Sequence, residues 1–520
     1  MTLLDLPDEL LICISEQLAD SKEALRELIL ACRHFQAIVE PILYRDIFFR
    51  KPNVLARLVA ALKAAPNRLN SIHKLDARCK FQETGRTSAR RLEPLGTILN
   101  TACNINDLTV ESPYCNNRDW QAATSFNGWD TTLHSWLWPI LQSGKIASGR
   151  ERAGLDAMLL PSGVSRDLLP GLKRLTLHLN GVERELWTVE HEDAFIFAHQ
   201  TLEEIHVSSI NIPEHAMNSI REGVRTPLKR LTLDEANVTM HGLRCMLAIP
   251  IALEYLYIGE NRYSPEETAF PPDQEYNNLC RRSAAEVVEA LRVQKTSLKT
   301  LIYRADDEGE SAPLSSYQGP DFSEFIALKT ISFTGDWGWM STGLCRTATA
   351  PPGLQNLTLD EFPFLDVLES GNHSETEPPR PISNIADANT KLQTLTITSE
   401  HSGLGRLAAM TGERTAIKLA GEFLRRKDVA LRLTRPASHQ MFVPPYLYGE
   451  EPVADVLIYE NNDVGFREEG GHIGIVDHDS DSDWTDDTDR MGYVDEEDWD
   501  DNEDDRDDDR EDEMNWGTQT

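Results

Sequence analysis

The sequence lacks any apolar run of membrane-spanning length, and it begins MTLLD, without the positive charge that opens a secretory signal. Cysteine is scarce as well: eight are scattered over 520 positions, with no CxxC pair and no spacing that suits metal ligands. We therefore expect reduced thiols, no bound metal and no membrane contact. The predicted location is the cytoplasm, the nucleus or both.

Basic residues are also in short supply. The chain has 51 Lys and Arg against 85 Asp and Glu, which gives a formal net charge of -34. From Asp477 to Glu513 there are 22 acidic residues and three arginines, so this stretch alone carries -19. Such an acidic chain is a poor match for nucleic-acid phosphates or anionic membranes, so we expect no nucleic-acid partner and favour a basic target protein. The composition after residue 477 predicts a disordered acidic tail over 477–520.

The motifs of common enzyme classes are missing. The sequence has no GxxxxGK phosphate-binding loop, no GxSxG nucleophile turn and no HExxH metal-binding helix. His191 and Glu192 are followed by His199, a spacing that does not place two ligands on one helical face. We therefore predict a non-catalytic protein without cofactors.

What the sequence does contain is a recurring LxxLxL frame, of which Leu228-Lys229-Arg230-Leu231-Thr232-Leu233 is the clearest copy. The other frames have apolar residues at Ile72/Leu75/Ala77, Ile105/Leu108/Val110, Leu172/Leu175/Leu177, Leu202/Ile205/Val207, Leu253/Leu256/Ile258, Leu298/Leu301/Tyr303, Leu328/Ile331/Phe333, Leu354/Leu357/Leu359 and Leu392/Leu395/Ile397. From residue 172 onward the frames begin 25 to 45 residues apart, which is a leucine-rich-repeat period with insertions. The alternation within each frame indicates a strand with one buried face. The predicted fold is α/β, with parallel strands stacked into a leucine-rich-repeat-like solenoid.

The first fifty residues follow a different pattern. Apolar stripes predict three short helices, the first over residues 5–18, and Pro41 is expected to interrupt or restart the third. The stretch reads Leu6-Pro7-Asp8-Glu9-Leu10-Leu11, then Ile14, Leu18, Leu25 and Leu28, then Ala31-Cys32-Arg33-His34-Phe35 and Pro41-Ile42-Leu43-Tyr44-Arg45. It resembles an F-box, in the form common among fungal F-box proteins.

This resemblance implies docking on a Skp-type adaptor, which joins F-box proteins to a cullin and to ubiquitin transfer. By that likeness the adaptor-facing positions are Leu6, Pro7, Leu10, Ile14, Leu25 and Leu28. Phe35 stands where many members of the family have Trp. The alternative interpretation is a helical cap that shields the first repeat from solvent.

The patterns also predict where one region gives way to the next. The predicted regions are the F-box at 1–50, the leucine-rich-repeat-like solenoid at 51–435, an ambiguous segment at 436–476 and the acidic tail. An irregular insertion at about 111–166 interrupts the solenoid, and the repeat register is undefined there. The segment from Glu369 to Thr390 holds three prolines and predicts a surface loop.

Candidate target-binding residues occupy the strand positions that point away from the predicted core. They are Arg174, His206, Arg230, Tyr255 and Tyr257, joined by Trp337 and Trp339 in a glycine-flanked loop after a strand. Exposed tyrosines make good anchors at protein interfaces, although an ordinary strand role is the alternative for each residue. The resemblance and the repeats together imply the substrate-recruiting subunit of an SCF-type ubiquitin ligase. The alternative function is a non-degradative repeat scaffold that mediates protein-protein interaction.

Overall fold

The computed structural model describes most of the chain up to residue 466. The described residues are 6–50, 52–78, 93–111, 169–178, 187–189, 191–260, 284–304, 320–334, 343–360, 378–398, 411–435, 455–462 and 465–466. Several predicted features therefore lie outside the described residues: most of the insertion at 111–166, the loop with Trp337 and Trp339, and the acidic tail.

Three helices form the N-terminal region: α1 (Asp8–Gln17), α2 (Lys22–Ala31) and α3 (Arg33–Arg45). The Ser21 side chain accepts a hydrogen bond from the backbone of Ala24 and so caps α2. Cys32 has an extended backbone and separates α2 from α3. The helices share a small apolar core made of Leu11, Leu25, Phe35, Val39 and Ile42.

The rest of the described chain is a mixed α/β region built on one large sheet. Its strands are β1 (Asp46–Phe49), β2 (Lys74–Arg78), β3 (Asp107–Glu111), β4 (Arg174–His178), β5 (Trp187–Thr188), β6 (Glu204–Ser208), β7 (Ile210–Ile212), β8 (Arg230–Val238), β9 (Tyr255–Glu260), β10 (Thr300–Arg304), β11 (Thr330–Thr334), β12 (Asn356–Asp360), β13 (Thr394–Thr398), β14 (Ala430–Arg435), β15 (Val456–Glu460) and β16 (Gly465–Phe466). Neighbours along the sheet follow chain order, with β5 and β7 set beside β8. The pairing is parallel as far as β14, and β15 and β16 are added antiparallel. The sheet is not closed.

The strands pair in a common register that follows the LxxLxL frames. Leu231 of β8 pairs with Ile205 of β6 on one side and with Leu256 of β9 on the other. The same position pairs from Leu75 at β2 to Leu431 at β14. The three apolar positions of all ten predicted frames are buried. The predicted strand positions and their inward faces are therefore confirmed.

Helices and 3-10 turns follow many of the strands and pack on their inward faces. The helices are α4 (Pro52–Ala64), α5 (Glu93–Leu99), α6 (Met240–Ala248), α7 (Ala284–Leu291), α8 (Arg380–Ala388) and α9 (Thr411–Arg425). Their buried residues, such as Leu55, Leu243 and Ile417, belong to the same apolar cluster as the strand leucines. Burying a leucine contributes about 1.5 to 3 kcal/mol, so this single cluster is the main source of stability in the sheet region.

Three sequence predictions about local structure need correction. The sheet begins at β1 (Asp46–Phe49), a strand earlier than the first predicted frame at Ile72. Helix α3 continues through Pro41, which lies exposed inside it. The predicted loop from Glu369 to Thr390 contains helix α8.

Candidate protein-binding surfaces

Helix α1 displays apolar side chains to solvent. Leu10 is 49% exposed and Ile14 is 40% exposed, and Ile12 lies between them in the sequence with 39% exposure. Pro7, which precedes the helix, is exposed and Leu6 is half-buried. Leu10 and Ile14 lie one helical turn apart on the same face, where apolar groups gain stability when a partner covers them, so this face of α1 is a candidate docking surface, here called the α1 surface.

The other two predicted adaptor-facing residues lie in different surroundings. Leu25 has no exposed surface because it is at the centre of the three-helix core. In this structure its side chain supports the helices from within, and a direct adaptor contact by Leu25 stays a prediction. Leu28 is half-buried and packs against the same core.

The outward side of the sheet carries a row of charged and aromatic residues at the first positions of the neighbouring strands β2, β3, β4, β6, β8 and β9. Arg174 of β4 donates to Asp107 of β3 through Nε at 3.1 Å and Nη2 at 2.9 Å. Arg230 of β8 donates to Glu204 of β6 at 3.3 Å, and its guanidinium lies 4.0 Å from the ring centroid of Tyr255 on β9. The guanidinium therefore covers one face of the Tyr255 ring in a cation-π contact.

Tyr257 lies one outward position further along β9. Its hydroxyl donates to Asp234 Oδ1 at 3.1 Å, and the guanidinium of Arg304 lies 5.7 Å from its ring centroid. Burial and the neighbouring carboxylate of Asp234 raise the pKa of the Tyr257 hydroxyl, so it stays a hydrogen-bond donor at physiological pH. Both tyrosines are half-buried, and Leu256 and Ile258 between and beyond them face the core. The structure thus brings Arg230, Tyr255 and Tyr257 together on β8 and β9.

His206 occupies the corresponding outward position on β6 and is half-buried. Burial lowers the pKa of its imidazole, although the carboxylates of Asp234 and Glu204 act in the opposite direction.

His178 on β4 is fully buried beside Ser208, with its Nδ1 in hydrogen-bond contact with the Ser208 hydroxyl. Burial lowers the pKa of His178 to about 3, so this ring is neutral at physiological pH. We call the outward residues of β4, β6, β8 and β9 the sheet-face surface.

Two features beside this surface were not predicted from the sequence. Glu235 follows Asp234 with a left-handed backbone, φ 47°, and its Oε2 accepts a hydrogen bond from the Ser209 hydroxyl at 2.5 Å. Burial, with the adjacent Asp234 carboxylate, raises the pKa of Glu235 to about 7. No spacing rule identifies such a residue, because its environment arises only when β6 and β8 pair.

The second unpredicted feature is a charge ladder at the strand starts. The Glu203 carboxylate accepts from Lys173 at 2.9 Å and from Lys229 at 2.7 Å. These hydrogen bonds, that of Lys229 foremost, lower the pKa of Glu203 to about 2. Aligning the frames would have found this ladder, since the three residues occupy the same position in consecutive frames.

The described part of the chain shows neither a metal cluster nor a membrane-spanning helix. Within it, no three His, Cys, Asp or Glu side chains cluster as metal ligands would. None of its helices combines the length and the apolar character needed to span a bilayer. The candidate functional sites among the described residues are therefore two protein-binding surfaces, the α1 surface and the sheet-face surface.

Comparison with known proteins bears on the N-terminal region alone. No curated protein matches the chain. Residues 3–50 match the family described as F-box-like, and they include helices α1 to α3 and strand β1. The chain therefore carries an F-box-like domain at its N-terminus, followed by a mixed α/β region with a large sheet.

Proposed function

We propose that this protein is the target-recruiting subunit of an SCF-type ubiquitin ligase. The observation that carries the proposal is the F-box-like match over residues 3–50 together with the exposed apolar α1 surface inside it. F-box domains generally bind Skp1-type adaptors, and the protein then contributes no catalysis of its own. A cullin would be reached through that adaptor, in the cytoplasm, the nucleus or both.

We further propose that the region from residue 51 to about 435 is a leucine-rich-repeat-like solenoid. Parallel strands in chain order, the shared register of the frames and the helices between strands support this interpretation. In such an architecture each unit contacts its neighbours and the outward strand residues line up from repeat to repeat. The fungal type of F-box belongs to the same proposal.

The target protein is proposed to bind the sheet-face surface. Arg174, Arg230 and the two tyrosines combine ion-paired and aromatic groups, the residue types that dominate protein interfaces. The strongly acidic composition of the chain favours a target with a basic surface, because opposite charge accelerates association. Holding that target close to the transfer machinery raises the local concentration of its lysines.

The deciding experiment is co-purification of the full chain with a Skp-type adaptor and a cullin. Leu10→Ala combined with Ile14→Ala should weaken adaptor binding about tenfold or more, because each exposed side chain contributes about 1 kcal/mol of buried apolar contact. Ile251→Ala is the matched control, because Ile251 is also an exposed apolar residue, 70% accessible, but it lies in the sheet region and outside the F-box-like domain. Unchanged adaptor recovery from the folded double variant would refute the proposal. Recovery of adaptor without cullin would favour the non-degradative scaffold.

A further inference from the structure

The junction between the F-box-like helices and the sheet contains no linker. Helix α3 ends at Arg45 and β1 begins at Asp46. The backbone N–H of His73, just before β2, donates to the Arg45 carbonyl at 2.9 Å. The chain therefore passes from the last helix into the first strand of the sheet without a flexible segment.

Arg68 bridges this junction from the 3-10 turn at Pro66–Ser71, which leads into β2. Its Nε and Nη2 donate to Glu40 Oε1 on α3 at 2.9 and 2.5 Å. Its Nη1 donates at 2.9 Å to the carbonyl of Ala61, in the last turns of α4. One guanidinium thus joins α3, α4 and the turn before β2.

The same guanidinium also lies against an aromatic ring. Its Cζ is 5.1 Å from the ring centroid of Tyr44, one helical turn after Glu40 on α3. Tyr44 in turn packs against the large apolar cluster of the sheet region. The contacts of Arg68 therefore reach both the helical domain and the core on which the sheet rests.

The Arg68–Glu40 pair is more protected from water than the ion pairs of the strand ladder. The two side chains are 20% and 19% exposed, whereas those of Lys173 and Glu203 are 49% and 36% exposed. Solvent and salt screen a protected pair less, and the planar guanidinium fixes the direction of its partners. A pair of this kind is suited to hold an orientation and not only to add solubility.

We propose that Arg68 is a positioning residue that fixes the orientation of the helices α1 to α3 on the first strands of the sheet. The α1 surface and the sheet-face surface are then held at one separation. The consequence for ubiquitin transfer rests on the proposed function, because a target must be presented at a defined distance from the adaptor. The orientation itself does not depend on that function.

The test measures the distance from α1 to the sheet in the full chain. Spin labels are placed on Cys13, which is exposed on α1, and at Lys329→Cys, an exposed position before β11, with the other seven cysteines replaced by serine. Arg68→Ala and Glu40→Gln should each broaden or shift the distance distribution by several ångströms. Arg432→Ala should leave it unchanged, since the Arg432 pair with Glu460 is an arginine-carboxylate contact at the far end of the sheet.

Ubiquitin transfer is measured on Arg68→Ala, Glu40→Gln and Arg432→Ala in the unlabelled chain with its own cysteines. Arg68→Ala should keep adaptor binding and target binding within about twofold while transfer falls about tenfold, because small misplacements of reacting groups cost large factors in rate. The positioning role is overturned if Arg68→Ala and Glu40→Gln each give the same distance distribution as the wild type while their helical content is retained. If the wild-type chain binds no adaptor, the proposed function fails, and the distance distributions still decide the role of Arg68.

Discussion

The Tyr257 hydroxyl donates a hydrogen bond to Asp234 Oδ1 at 3.1 Å, which ties β9 to the middle of β8. Gly259 lies next to this contact, and a Cβ built there would come 2.5 Å from Asp234 Oδ1. The hydroxyl of Tyr257 therefore holds the fold together, whereas Tyr255 contacts the guanidinium of Arg230 through its ring. The two tyrosines consequently have separable roles.

Tyr257→Phe should lower the free energy of unfolding by about 1 to 2 kcal/mol, because Asp234 loses a hydrogen bond within a half-buried site. Target binding should change little, since the ring is kept. Tyr255→Ala should reverse this pattern and weaken target binding about tenfold with little loss of stability. Urea unfolding and a binding titration on both variants give the answer. Thr396→Ala, at an outward position of β13, is the control, and a large binding loss there would argue against the sheet-face surface on β8 and β9.

Leu25→Ala should destabilise the helical domain by about 2 to 5 kcal/mol, because it leaves a cavity in a core of only five buried side chains. Adaptor binding is then lost through unfolding of the domain. Leu10→Ala, at an exposed position, should weaken binding with the helices intact. Amide hydrogen exchange in residues 8–45 separates the two cases. Native-like protection in Leu25→Ala would show that the side chain is not a core residue.

Glu235 gives the fold a pH dependence of defined sign. Burial beside Asp234 raises the pKa of its carboxyl from 4.5 to about 7 in the folded protein. The neutral form is favoured by folding, so its contribution is complete below about pH 4.5 and is lost as the pH rises through 7. Glu235→Gln should therefore have a higher free energy of unfolding than the wild type at pH 8. This difference between the variant and the wild type should be on the order of 3 kcal/mol larger at pH 8 than at pH 4.5.

The measurement is the difference in unfolding free energy between wild type and Glu235→Gln, followed from pH 4.5 to pH 8. Taking the difference removes the titration of the other carboxylates. Glu203→Gln, followed from about pH 4.5 down to about pH 2, should show the opposite slope, because hydrogen bonds from Lys229 and Lys173 lower the pKa of Glu203 to about 2 and the wild type loses that stabilisation as the pH falls. A pH-independent difference for Glu235→Gln would mean that its carboxyl is hydrated in solution.

The strands could be predicted from the sequence because their signal is local and repeated. Each frame ends in alternating buried residues, so a strand such as β8, which begins inside the frame Leu228 to Leu233, is recognised without knowing its neighbours. Once the frames are aligned, the contact between Arg230 and Tyr255 also follows, since both occupy the first outward strand position. The prediction was wrong for proline, because this residue can end a helix or be tolerated inside one, depending on whether its surroundings are exposed. The sequence predicts that Pro41 interrupts or restarts the third helix, yet α3 runs through it. Pro41 and Ala37 are both exposed, so the carbonyl that loses its partner can be hydrated.

Prolines also misled the interpretation of the segment from Glu369 to Thr390. Pro379 precedes α8 and Pro381 occupies its first turn, where the missing N–H costs nothing. Ile382, Ile385 and Ala386 then supply the helical stripe, all of them buried. A third kind of feature is not readable from sequence: amide side chains that satisfy buried backbone groups from more than forty residues away.

Gln294 is the clearest of these amides. It is buried, its Nε2 donates to the carbonyl oxygens of Leu247 at 2.8 Å and Pro250 at 3.1 Å, and its Oε1 accepts from the N–H of Leu253 at 2.9 Å. It thereby closes the turn between α6 and β9 from the following unit.

Gln294→Leu keeps the volume but leaves three buried backbone groups without this partner, and each such group costs about 1 to 3 kcal/mol. We expect the free energy of unfolding to fall by about 3 kcal/mol or more, whereas Gln393→Leu, at an exposed glutamine, should change it by less than about 0.5 kcal/mol. Equal stabilities of the two variants in urea unfolding would show that water takes over the contacts of Gln294.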